Sequence, residues 1–288
     1  MTADGKAGQA DALEARLAQL SPRQRRAFEL LVERGARADD GPIPPRPRDA
    51  GPLPLSFAQQ RLWFLDQLVP GGTMYNIPSI TRLPGPIDAA VLARSLTEIV
   101  RRHEVLRTTF SVHDGQPVQV IHPPAPLPLP LPLHDLRALP ASARTAAAAQ
   151  LAAAEAQRPF DLRTGPLLRA HLVRLDEAEY ALVLVMHHIV TDGWSMGIFF
   201  RELGALYPAF AAGQPSPLPP LPLQYADVAR WQRAQLTGPR LAAQLAYWRQ
   251  QLAELPVLRL PTDHPRPAVP RFEGRARPLT LPAALVGR

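Results

Sequence analysis

The segment Tyr180-Ala-Leu-Val-Leu-Val-Met-His-His-Ile-Val-Thr-Asp-Gly-Trp-Ser195 places two histidines, an aspartate and a glycine directly after an apolar run. Residues 180–186 are apolar or aromatic, so they predict a buried strand. Residues 195–212 carry apolar side chains at helical spacing, so they predict a helix. The sequence therefore predicts that His187 and His188 lie on a strand-to-helix loop, where a rigid scaffold leaves side chains reachable.

The residue types in this loop suggest different roles. Adjacent side chains on a strand point to opposite faces, so one histidine can be structural while the other faces a cleft. Either Asp192 or Ser195 can cap the following helix. Gly193 is free to adopt a positive φ, which could let the chain turn here. A lone histidine after a strand is more often a packed or surface residue than a catalyst, so the candidate site depends on the combination of residues.

Four segments resemble motifs of one family, in the family's order. His187-His188-Ile-Val-Thr-Asp192-Gly193 resembles the HHxxxDG signature of condensation domains in nonribosomal peptide synthetases, which are relatives of chloramphenicol acetyltransferase. Residues 55–65, 102–110 and 225–233 resemble the first, second and fourth motifs of that family. The resemblance covers about residues 51–288.

The resemblance implies an α/β chain with a two-lobed, chloramphenicol-acetyltransferase-like fold. Residues 1–50 are predicted to be an N-terminal helical segment with a proline-rich linker, which serves as a connector or as a docking element for another subunit. Residues 51–222 would form the N-terminal lobe with the histidine loop. Five prolines between residues 214 and 223 indicate a boundary, and residues 223–288 would begin a C-terminal lobe. We expect this second lobe to be truncated, because relatives have lobes of comparable size.

The activity implied by the resemblance is amide-bond formation between a carrier-bound acyl or peptidyl thioester and the amine of a carrier-bound aminoacyl group. His188 would act either as general base or as a hydrogen-bond donor to the oxyanion. The backbone N–H of Gly193 is a candidate second oxyanion donor, unless Gly193 is a simple turn residue. His187 would have a structural role. Asp192 would form a buried ion pair with Arg107, with Arg102 as the second choice.

The resemblance also implies partners and a subtype. Both substrates would arrive on phosphopantetheine arms of upstream and downstream peptidyl carrier domains, beside an adenylation domain, so we expect no cofactor and no metal on this chain. The retained histidine pair and Trp194-Ser195 favour the peptide-bond-forming type. Residues 71–78 resemble the subtype that joins an L-configured donor to an L-configured acceptor. A starter domain that takes a fatty acyl group remains open.

Composition limits the remaining functional classes. The 288 residues contain no cysteine, which excludes disulfides, a cysteine nucleophile and thiolate metal sites. The formal charge is +7, but the arginines are spread along the chain, so we predict no nucleic-acid binding. The excess of positive charge could still attract the acidic surface or the phosphate of a carrier protein. No apolar run is long enough for a membrane span and the N-terminus lacks a signal-peptide core, so we predict a cytoplasmic protein. The abundance of Arg, Ala and Pro is typical of a GC-rich bacterium, so we predict a bacterial source.

Two other functional classes stay open at this level. One is a small-molecule acyltransferase of the chloramphenicol acetyltransferase kind, which would act without carriers. The other is a non-catalytic docking or scaffold piece, which the expected truncation of the second lobe favours.

Overall fold

The computed structural model of the chain describes residues 42–46, 51–125, 127–265 and 279–286. Residues 46–288 form one compact unit, and residues 1–45 form a separate one. The helices expected in residues 1–50 lie outside the described residues.

Helices and strands alternate through the larger unit. The helices are α1 (Phe57–Leu68), α2 (Ala89–Arg102), α3 (Ala141–Ala156), α4 (Gly193–Ala211), α5 (Tyr225–Gln235), α6 (Gly238–Gln251) and α7 (Ala283–Val286), with a 3-10 helix at Glu104–Arg107. The strands are β1 (Leu53–Pro54), β2 (Asn76–Pro84), β3 (Thr108–His113), β4 (Gln116–Ile121), β5 (Leu133–Asp135), β6 (Leu168–Asp176) and β7 (Glu179–His187). The mixed α/β class predicted from the sequence is confirmed.

Two sheets are formed. The larger has the strand order β2-β7-β6-β5, in which β6 and β7 make an antiparallel hairpin and β5 runs parallel to β6. The smaller has the order β1-β4-β3. The histidine loop leaves the larger sheet at the end of β7, one of its two central strands.

Strand β7 is buried on both faces because each face packs against helices. Five of its residues belong to the main core, together with residues of α2 and α4: Tyr180, Leu182, Leu184, Val185 and Met186. Ala181 and Val183 point the other way and pack against Ala148 and Ala152 of α3. The two-sided burial explains why this strand reads as a continuous apolar run rather than as an alternating pattern. It also holds the end of the strand in a fixed position.

Strand β2 was not predicted, because it contains Pro78 and Pro84. Proline lacks a backbone donor and is tolerated at a sheet edge, which is where β2 lies. Its pairing begins with Asn76 opposite His187, so β2 flanks the end of the strand that carries the histidines.

The residues assigned to a second lobe differ in their packing. Helix α5 packs on the preceding elements, with Ala226, Asp227 and Ala229 buried. Helix α6 has no buried residue. After the proline run the chain therefore returns, through α5, to the unit formed by the preceding elements. The division into two lobes remains a prediction.

Candidate functional site

His187 is the last residue of β7. Its side chain is buried, with 3% of the residue exposed, between Tyr75 and the edge of the Phe160 ring. Its Nδ1 accepts a hydrogen bond from the Ile189 backbone N–H at 3.1 Å. Burial, with a smaller contribution from the charge of His188, lowers the pKa of His187 to about 4. The ring is therefore neutral near pH 7, and its proton lies on Nε2.

His188 follows the last residue of β7 and is exposed. Its backbone N–H donates to the Tyr75 carbonyl at 2.8 Å, which fixes the main chain at this point. Its Nδ1 lies 2.7 Å from the Thr191 carbonyl oxygen. A carbonyl can only accept, so Nδ1 carries a proton, and in the neutral ring Nε2 is left with its lone pair. The sequence predicted that adjacent histidines would separate into a buried and an accessible side chain, and the structure has this arrangement.

Asp192 caps helix α4. Its Oδ1 accepts hydrogen bonds from the Ser195 backbone N–H at 2.8 Å and from the Ser195 hydroxyl at 2.6 Å. The hydrogen bonds from the Ser195 hydroxyl and backbone lower the pKa of the Asp192 carboxyl. The prediction that Asp192 or Ser195 caps the helix is confirmed, with Asp192 as the cap residue.

The predicted ion pair between Asp192 and Arg107 is wrong. Asp192 is exposed and turns back onto its own helix. Arg107 donates to the His122 carbonyl and lies 3.7 Å from Glu104. The short loop lets Asp192 reach nearby N–H groups, which it does without crossing to the second motif.

The second choice for that pair, Arg102, has a different acidic partner. Its Nε lies 3.0 Å from Glu202 Oε1, and His103 Nε2 lies 2.7 Å from Glu202 Oε2. Glu202 was missed from the sequence. The signal that could have found it is its place between Phe199 and Leu206 on the apolar face of α4, since a buried acid needs a partner.

Gly193 does not use the positive φ that is open to glycine, since it is not among the left-handed glycines of the described residues. A Cβ built on Gly193 would meet no atom within 4 Å. The residue is exposed at the first position of α4, where a backbone N–H has no partner within its own helix. The N–H is therefore placed where an anion can be received.

A cavity of about 220 Å³ lies beside His188. Helix α1 contributes Gln59, Arg61 and Leu62 to its wall, and Tyr75, Thr191 and Tyr225 complete other sides. The Tyr225 hydroxyl lies 3.0 Å from the Ser56 hydroxyl at the start of α1. The first and fourth motifs thus meet at the histidine loop, although they are 169 residues apart at this contact.

The fourth motif also holds the end of the linker. The Arg46 guanidinium lies 3.0 Å from Asp227 Oδ1 and 2.7 Å from Glu104 Oε2, and the Arg46 backbone N–H donates to Asp227 as well. Burial opposes ionisation of Asp227, but hydrogen bonds from Gln224 and Arg46 outweigh it and lower the pKa of the carboxyl. Neither Arg46 nor this network was predicted.

Neither a metal site nor a membrane span is found among the residues that the structure describes. This part of the chain brings together no group of three or more His, Cys, Asp or Glu side chains that could hold a metal ion. Of the described helices, none combines the length and apolarity needed to cross a bilayer.

Known proteins match the chain closely. The family model for the condensation domain matches residues 49–287. The chain is 50% identical over 275 residues to phosphinothricin tripeptide synthetase PhsC from Streptomyces viridochromogenes, which covers 95% of this chain and 25% of that protein. It is 54% identical over 232 residues to chondramide synthase cmdD from Chondromyces crocatus, covering 80% of this chain and 6% of that protein.

Solved structures agree with the family match. The first condensation domain of the calcium-dependent antibiotic synthetase, solved with a substrate analogue, superposes with a TM-score of 0.66 at 28% identity. The match covers 72% of this chain and 49% of that one, so the chain spans only part of its relatives. Together with the histidine loop and the three other motifs, these matches show that the chain belongs to the condensation domain family of nonribosomal peptide synthetases.

Proposed function

We propose that this chain, as part of a condensation domain, catalyses amide-bond formation between a carrier-bound acyl or peptidyl thioester and the amine of a carrier-bound aminoacyl group. The observation that carries the proposal is the 2.7 Å contact between His188 Nδ1 and the Thr191 carbonyl. It fixes the tautomer whose Nε2 can accept a proton, on an exposed side chain beside a cavity.

The reaction needs one proton acceptor and a means of holding two substrates in line. The amine nitrogen attacks the thioester carbonyl carbon, forming the C–N bond while the carbonyl electron pair moves to oxygen. Return of that pair expels the sulfur and breaks the C–S bond. Nε2 of His188 takes the proton lost by the amine and returns it to the departing thiolate, so that an amide and a thiol result.

The hydrogen bond to Thr191 supports a general-base role for His188 over an oxyanion-donor role. A neutral His188 with its proton on Nδ1 has none on Nε2, so it could donate from Nε2 only as an imidazolium. Asp192 then has a positioning role, since it caps the helix that begins at Gly193. The Gly193 N–H at the positive end of α4 is a suitable donor to the oxyanion.

The partners and the subtype are proposed by analogy with the family. We propose that the donor and acceptor arms are phosphopantetheine groups of upstream and downstream peptidyl carrier domains, in a synthetase that also has an adenylation domain. Residues 71–78 support an L-configured donor and acceptor, and their Tyr75 lines the His188 cavity. The chain itself would hold no cofactor.

A hybrid domain tests the proposal. This chain would replace the corresponding part of the matching condensation domain of chondramide synthase cmdD, with both cognate carriers present. Intact mass spectrometry after a single turnover should show the amide on the acceptor carrier. The parent domain, assayed in parallel, controls for the carriers and for the grafted half.

The other outcomes identify the alternatives. Transfer from a soluble acyl-CoA to a small amine, without either carrier, would show a small-molecule acyltransferase instead. A hybrid that folds as the parent does but forms no product from either kind of donor would show a docking or scaffold role and would contradict the proposal.

A further inference from the structure

Arg46, from the predicted linker, lies between two of the motifs. Its side chain is 5% exposed, and one guanidinium nitrogen lies 3.0 Å from Asp227 Oδ1 in the fourth motif. A second nitrogen lies 2.7 Å from Glu104 Oε2 in the second motif. The Arg46 backbone N–H also donates to Asp227 Oδ1 at 3.0 Å. A guanidinium can bridge two carboxylates in this way because its donors point in fixed and different directions.

The bridge holds the first turn of α5. Asp227 Oδ2 accepts a hydrogen bond from the Gln224 backbone N–H at 2.7 Å. The Gln224 side chain then returns to the second motif, where its Oε1 accepts from the Glu104 N–H at 3.0 Å and its Nε2 donates to the Arg102 carbonyl at 2.9 Å. The start of α5 is therefore joined to the second motif twice, directly by Gln224 and through Arg46.

The same turn supplies part of the wall of the His188 cavity. Tyr225 follows Gln224 in the chain and lines that cavity. Tyr225 is 38% exposed, so burial in the core does not by itself fix its place. Its hydroxyl makes one contact, with the Ser56 hydroxyl at 3.0 Å. The position of this part of the wall therefore depends on how the first turn of α5 is held.

The charges in the bridge make Arg46 hard to replace. The Asp227 side chain is fully buried and the Glu104 side chain is 13% exposed. Both carboxylates approach the same guanidinium, so without it they would repel each other across a poorly solvated gap. Loss of Arg46 would therefore push the first turn of α5 away from the second motif.

We propose that Arg46 is a positioning residue for the reaction, because its bridge between Asp227 and Glu104 holds Tyr225 in the wall beside His188. The inference rests on the proposed function, in which the amine and the thioester must be held in line near His188. Arg46 does not line the His188 cavity, so it acts through the turn that does. A displacement of about 1 Å in such a wall can lower a rate by about 100-fold.

A test has to remove the bridge without leaving a buried charge. The double variant Arg46→Met/Asp227→Asn does so, since asparagine keeps an acceptor for the Gln224 N–H. Arg46→Lys keeps a cation but lacks the guanidinium fork, so it tests the same point if the double variant fails to fold. Arg144→Met is the matched control, because Arg144 is also largely buried and pairs with Asp176 at 3.3 Å. Arg144 donates to three carbonyls, of residues that do not line the His188 cavity: Arg137, Leu139 and Leu175.

The first readout is single-turnover amide formation in the hybrid domain as the concentration of the acceptor carrier is raised. We expect the double variant to lower the saturating rate by about 10-fold or more. The carrier concentration at half the maximal rate should stay within about threefold of the parent value, since alignment rather than carrier binding is changed. Arg46→Lys should lower the saturating rate as well, whereas Arg144→Met should stay within about twofold of the parent.

The outcomes separate the two proposals. A folded double variant with a saturating rate within about twofold of the parent would overturn the positioning role while leaving amide formation intact. A loss of equal size in Arg144→Met would also overturn it, because the loss of any buried ion pair would then explain the effect. An unsubstituted hybrid that is inactive would contradict the proposed function instead.

Fluorine NMR of the chain itself tests the positioning role without activity. The chain contains five tyrosines, so 3-fluorotyrosine labelling gives few signals, and Tyr225→Phe identifies that of Tyr225. We expect the double variant and Arg46→Lys to shift or broaden the Tyr225 signal and to leave that of Tyr247 on α6 unchanged. Arg144→Met should leave both signals unchanged. A Tyr225 signal that is the same in the parent and in both Arg46 variants would overturn the inference, whether or not the hybrid is active.

Discussion

Lowering the pH should destabilise the fold through His187. Its pKa is about 4 in the folded chain, against an ordinary value of 6.5. When the folded pKa of a histidine is lowered, the unfolded state binds more protons at intermediate pH. Stability is therefore complete above about pH 6.5 and is lost as the pH falls toward 4. A proton on Nδ1 would also face the Ile189 N–H that donates to this atom.

The size of the effect follows from the shift. One pKa unit corresponds to about 1.4 kcal/mol, so a shift from 6.5 to about 4 is worth about 3 kcal/mol when fully expressed. Between pH 7 and pH 5, the expected loss in the free energy of unfolding from His187 is about 2 kcal/mol.

Urea denaturation of the chain at pH 7, 6 and 5 measures this loss. His187→Asn keeps an acceptor for the Ile189 N–H but does not titrate, so its stability should fall about 2 kcal/mol less over that range than that of the parent. His113→Asn, at an exposed position, should behave as the parent does. Equal losses in the parent and in His187→Asn would refute the assignment of His187 as a buried neutral residue.

Three further substitutions test the network and the loop. Asp227→Ala should cost about 3–5 kcal/mol of unfolding free energy, because it leaves Arg46 buried with one carboxylate fewer; a double-mutant cycle with Arg46→Ala should be clearly less than additive, and additivity would contradict the pair. Asp192→Ala should cost about 0.5–2 kcal/mol through loss of the cap, and a cycle with Arg107→Ala should be additive; measured coupling would restore the ion pair that the structure lacks. Gly193→Ala should leave the melting temperature of the chain within a few degrees of the parent, since an added Cβ meets no atom within 4 Å, and a large loss would show that this position needs glycine for folding.

The parts of the site that depend on neighbouring residues were predictable from the sequence. The apolar run predicted β7, the helical spacing predicted α4, and Asp192 was recognised as a possible cap. These features arise from side-chain periodicity and from contacts within a few residues. The separation of His187 from His188 also follows from the alternation of side chains along a strand.

The parts that depend on distant residues were not predictable. Arg46 meets Asp227 across 181 positions, and Arg102 meets Glu202 across 100. Nothing local distinguishes these arginines from the others of an arginine-rich chain. The same limit explains the wrong pairing of Asp192 with Arg107, because a motif can indicate that a charge needs a partner without identifying it. Strand β2 was missed for a different reason, since edge position overrides the usual effect of proline.

The most direct test of the account is the single-turnover rate of amide formation when His188 is removed. In the hybrid domain, His188→Ala should lower the rate by about 100-fold or more, because the base beside the reacting amine is lost. His113→Ala, which removes an exposed histidine from the end of β3, should leave the rate unchanged, and both variants should melt at the temperature of the parent. A folded His188→Ala hybrid that forms the amide within about threefold of the parent rate would contradict the central claim that His188 is the catalytic base.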